Sequence, residues 1–153
     1  MRTMWVWLAA AGFVGSAALH LVSFTPWAAQ PGARAVWALG ALVFVLAAVM
    51  VARLRGTAAL GRRWRRVAVY DWRALVRRVP PGLQLLVVGA ALYAWMNFVL
   101  CLLLDPSALP AGAVTLRMAS GHLMFFFLVP LVFFRWVDGA REAGPSFTGP
   151  PHP

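Results

Sequence analysis

The sequence predicts an all-α integral membrane protein, a four-helix up-down bundle with a basic amphipathic interfacial helix between spans two and three. Three observations carry that prediction. The 153-residue chain is 62% hydrophobic and only 12% charged, whereas a soluble domain is typically about 45–50% apolar and about 25% charged. Four apolar runs, each near the length of about 20 residues needed to cross a hydrocarbon core of about 30 Å, follow one another along the chain. Nine arginines crowd between Arg53 and Arg78, two apolar runs before them and two after.

The first run, Met4–Phe24, is long enough to span. A cleaved signal peptide is its rival, because Arg2 precedes the apolar stretch, but no small-x-small site follows Leu21. Pro26, Pro31 and Gly32 then suit a short turn. The second span covers residues 35–52. The third covers 82–104, with Gln84 near one end and Asn97 inside. A second Pro/Gly-containing turn follows, and the fourth span covers 114–137, with Pro130 placed to kink it. Residues 1–137 therefore form one membrane domain. The remainder, 138–153, is rich in Pro and Gly and reads as a disordered cytoplasmic tail.

Orientation follows from arginine asymmetry, since short cytoplasmic loops carry the basic excess. With the central segment inside, twelve arginines are cytoplasmic and only Arg34 and Arg117 are outside. Both termini are then cytoplasmic, in a bacterial-type inner membrane. Trp5, Trp7 and Trp136 fall at the inner interface, Trp27 and Trp37 at the outer one. At a helical period, Leu60, Trp64, Val67, Ala68, Leu75 and Val79 make one apolar arc over residues 60–79, opposite Arg62, Arg63, Arg66, Arg73 and Arg77. Asp71 and Arg78 interrupt the arc. The pattern fits a helix lying along the inner leaflet.

Net charge is +10 with a pI near 11.9. Nucleic acid is not the inferred partner, because the arginines flank spans instead of covering a polar domain. The single cysteine, Cys101, excludes an intramolecular disulfide and a multi-cysteine metal site. There is no Gly-rich phosphate loop, no Cys-x-x-Cys and no Ser–His–Asp spacing, so no catalytic residue is assigned.

Polar groups inside spans are the functional candidates, since they are costly to hold in lipid. His20, Asn97 and His122 share one level, about 6–9 Å outward of their span midpoints at the helical rise. Gly12, Ser16 and His20 lie on one face of span one; Gly89, Tyr93, Asn97 and Cys101 on one face of span three. Ala119, Ser120 and Gly121 lie beside His122 on span four. These stripes are expected to line a common seam in which the two histidines face each other.

The leading functional expectation is a structural or accessory subunit whose basic face (Arg62, Arg63, Arg66, Arg73, Arg77) meets anionic lipid head groups or a partner protein. The interpretation of the histidine seam that goes with it is packing alone, the polar groups hydrogen-bonding across helices. The alternative is a redox or ligand-binding membrane protein with a His20/His122 pair at haem b or a quinone. In that case haem iron at His20 and His122 is the only metal, Tyr93 and Asn97 stand nearby, and Tyr93, Trp95, Phe125 and Phe126 offer ring surfaces. A small transporter is the third. A homo-oligomer or a second membrane protein is the expected protein partner.

Overall fold

The structure is a computed structural model, and it describes residues 2–29, 32–56, 79–104 and 112–137. Those residues are 93% helical, with no strand among them. Helix α1 runs Arg2–Val22, α2 Gly32–Gly56, α3 Pro81–Leu103 and α4 Ala113–Val132. All four are long and apolar enough to cross a membrane. The expected span boundaries agree with these to within a few residues. The basic segment, with Arg62, Arg63, Arg66, Arg73 and Arg77, lies outside the described residues, as does the tail beyond 137. Of the proposed interfacial helix only Val79 is described, and it is buried in the main apolar cluster.

Local chemistry explains where each helix stops. Helix α1 ends before Pro26, which opens a 3-10 turn, Pro26–Ala29. Its last carbonyls are met by hydroxyls: Ser23 Oγ donates to the His20 carbonyl at 2.6 Å and Thr25 Oγ1 to that of Val22 at 2.8 Å. Helix α3 starts at Pro80 and Pro81, where a missing N–H costs nothing because the first helical donors have no partner anyway. Gln84 Nε2 reaches back to the Val79 carbonyl at 2.7 Å. Helix α4 starts at Gly112, whose φ of 81° only glycine adopts freely. Pro130 removes the donor that would serve the Phe126 carbonyl, and the helix then continues as a π-helical turn, Phe133–Val137.

Helices α1 and α4 are antiparallel along their whole length. Trp5 stacks on Phe134 with centroids 6.3 Å apart. Gly12 lies under the buried ring of Phe127, where a Cβ would overlap the ring. His20 meets Ser120, and Arg117 meets Ser23. Small residues thus let the two backbones approach, as membrane helices commonly do.

The packing departs from a simple ring of sequential neighbours. Helix α4 packs on α1, α3 and α2, while α2 also touches α1. Half of the α4 span is buried, against 22% for α1, 17% for α3 and 6% for α2. Helix α4 is therefore the central element, and α2 leans on it. The main apolar cluster gathers Ala9, Leu46, Leu123, Phe127, Leu128, Val132, Phe133 and Phe134. A smaller one, Ala113 and Leu116 with Leu19 and Val36, lies toward the other end.

Candidate functional site

The polar side chains of the spans converge where α1, α3 and α4 meet. His20 is 5% exposed, Asn97 6%, and Ser16 and Ser120 are fully buried. The period-four stripe of α1 is thereby buried as expected, and so are Asn97 and Cys101 of α3. Gly89 and Tyr93, from the same α3 stripe, are exposed; Tyr93 nevertheless turns its hydroxyl inward to His20.

The hydrogen bonds around His20 are consistent with one tautomer. Ser120 Oγ donates to the Leu116 carbonyl at 2.6 Å. A hydroxyl has one proton, so at 3.0 Å from His20 Nδ1 the Ser120 oxygen accepts, and Nδ1 carries the hydrogen. Nε2 is then the acceptor for the Tyr93 hydroxyl. The order is Tyr93 O–H to His20 Nε2, His20 Nδ1–H to Ser120 Oγ, and Ser120 O–H to a backbone carbonyl. Each ring nitrogen thus has a hydrogen-bond partner within the protein. The ring is held further by edge contacts with Phe24 and Tyr93 at 5.2 and 5.5 Å.

Asn97 forms the second half of the cluster. Its Nδ2 donates to the Arg117 carbonyl at 3.0 Å, and its Oδ1 faces Cys101 Sγ at 3.9 Å. It packs on Gly121 so closely that a Cβ there would lie 2.5 Å from Nδ2 and 3.5 Å from His20 Cε1. Gly121 is the floor on which the His20 and Asn97 side chains rest.

His122 stands apart. One residue along a helix is a turn of about 100°, so while Gly121 faces the cluster, His122 faces Phe98, edge to face at 5.5 Å. Its Nδ1 donates to the Met118 carbonyl at 2.9 Å. The expectation that the two histidines face each other across one seam gives way to two separate environments.

Ser120, from the small-residue stripe of span four, is the anchor of His20. One residue not singled out from sequence completes the site. Arg117 Nη2 donates to the Ser23 carbonyl at 3.2 Å, and the guanidinium lies 4.0 Å over the Phe24 ring. Its Nε is buried without a hydrogen-bond partner. A cation suits the negative end of α1 and the negative face of an aromatic ring. The signal that points to Arg117 is its level: it and Ser23 both stand near the same end of two antiparallel helices.

No group of three His, Cys, Asp or Glu side chains among the described residues is placed to hold a metal ion. Compared with known protein families, curated proteins and solved structures, the chain matches none.

Proposed function

We propose that the chain is a non-catalytic structural or accessory subunit of a bacterial-type inner membrane, with both termini cytoplasmic. The supporting observation is that the buried polar groups are spent on one another. His20 has no free nitrogen, and Ser16 and Ser120 return their protons to the Gly12 and Leu116 carbonyls. A proton relay needs an uncommitted acceptor at its end, but the Tyr93–His20–Ser120 chain ends on a backbone carbonyl. No acidic side chain stands among the described residues. This pattern favours helix packing over a haem pair at His20 and His122 and over a transport path.

The working surface in this proposal is the basic segment. Arg62, Arg63, Arg66, Arg73 and Arg77 would face the cytoplasmic head groups, each contributing about 1 kcal/mol near an anionic surface. The test is to purify the chain in mild detergent, identify what co-purifies, and replace those five arginines by glutamine. Anionic lipid or a partner protein retained by the native chain and lost by the variant is the expected result. An oxidised-minus-reduced absorption spectrum with a Soret band, absent in His20→Ala and His122→Ala, would replace the accessory reading by a haem protein.

A further inference from the structure

We propose that His122 is the hydrogen-bond acceptor of a binding site for a lipid-soluble hydroquinone on the face where α3 and α4 meet. This goes beyond the accessory role and does not depend on the basic segment.

The first observation is an imidazole nitrogen left ready. Met118 holds the His122 Nδ1–H at 2.9 Å, so in the neutral ring Nε2 is the acceptor. Nε2 has no hydrogen-bond partner among the described residues and is not sealed inside the protein. His20, by contrast, has both nitrogens engaged. His122 lies about 14 Å along α4 from Ala113 at the helical rise. At that depth water is scarce and lipid tails offer no donor, so an unmet acceptor is costly. A ligand that brings a hydroxyl into the hydrocarbon meets that need.

The second observation is the surroundings. Phe98 presents its ring edge-to-face to His122, and Trp95 lies against Phe98 at 6.1 Å. Phe126, one turn along α4 on the same face as His122, is 45% exposed, and Trp95 is 63% exposed. An apolar, aromatic surface with a single convergent acceptor fits a flat ring bearing O–H.

The geometry also sets which redox form is held. A hydroquinone donates to Nε2. The corresponding quinone carries only carbonyl acceptors, and its lone pairs would oppose that of Nε2. Tautomer exchange does not remove the conflict, because it would turn the Nδ1 lone pair onto the Met118 carbonyl. The site therefore prefers the reduced form.

Equilibrium dialysis tests this, with the full chain in nanodiscs under argon, a water-soluble short-chain benzohydroquinone or its benzoquinone as probe, and empty nanodiscs as reference. The expected result is saturable binding of the hydroquinone, roughly tenfold tighter than of the quinone, as one hydrogen bond supplies. His122→Phe should lose that preference, and Phe98→Leu should weaken both forms while keeping it, so a folding defect in one variant does not decide the outcome. Binding no greater than to empty nanodiscs, equal binding of the two forms, or an unaltered preference in His122→Phe overturns the proposal. So does haemin uptake with a Soret shift that depends on His122, which would make Nε2 an iron ligand.

Discussion

At the scale of single residues, two contacts hold the polar cluster in register. Tyr93 and His20 exchange a hydrogen bond across α3 and α1, two helices joined mainly through α4. Such bonds in membranes average about 0.6 kcal/mol and reach about 1.7. A double-mutant cycle with Tyr93→Phe and His20→Ala, read by unfolding in mixed micelles, should give a coupling in that range; zero coupling would mean the pair is incidental. Gly121→Ala pushes a methyl to 2.5 Å from Asn97 Nδ2 and should cost about 1–3 kcal/mol as overpacking. Gly40 is the control. A Cβ there meets nothing within 4 Å, so Gly40→Ala should be neutral or stabilise by about 0.5–1 kcal/mol through helix propensity.

At the scale of elements, the end of α1 depends on α4. Arg117 donates to the Ser23 carbonyl just beyond the last turn of α1 and covers Phe24. A charge at a helix C-terminus contributes about 0.3–1 kcal/mol. Arg117→Gln should keep a donor but lose the charge, lowering hydrogen-exchange protection at the Ser23, Phe24 and Thr25 amides while the middle of α1 is unchanged. Uniform loss of protection along α1 would show instead that Arg117 stabilises the whole bundle. The Gly12–Phe127 contact is the other joint between these helices, and it explains why Gly12 is buried: the ring of Phe127 fills the space its missing side chain leaves.

At the scale of the whole molecule, arginine asymmetry predicts one orientation. The single native cysteine is buried, which makes labelling straightforward. With Cys101→Ser as background, Gly61→Cys should react with a membrane-impermeant maleimide only after the cells are opened. Labelling of intact cells would reverse the topology and place the basic segment outside.

Features that depend on local composition and period are legible in the sequence. Hydropathy and length placed four candidate spans to within a few residues of the helices, because a run of about 20 apolar residues is long enough to cross a hydrocarbon core whatever surrounds it. Period-four spacing marked Gly12, Ser16 and His20 as a buried face, and Gly89, Tyr93, Asn97 and Cys101 as another, of which Asn97 and Cys101 are buried and Gly89 and Tyr93 exposed. How those faces are rotated and matched emerges only from the packing of the helices. It put α4 at the centre, gave His20 to Ser120 and Tyr93, and turned His122 toward Phe98. The physical reason is that a shared depth says nothing about azimuth. One residue turns a helix face by about 100°, and the choice between Gly121 and His122 at the seam rests on close packing between residues far apart in sequence, Asn97 on Gly121 and Phe127 on Gly12.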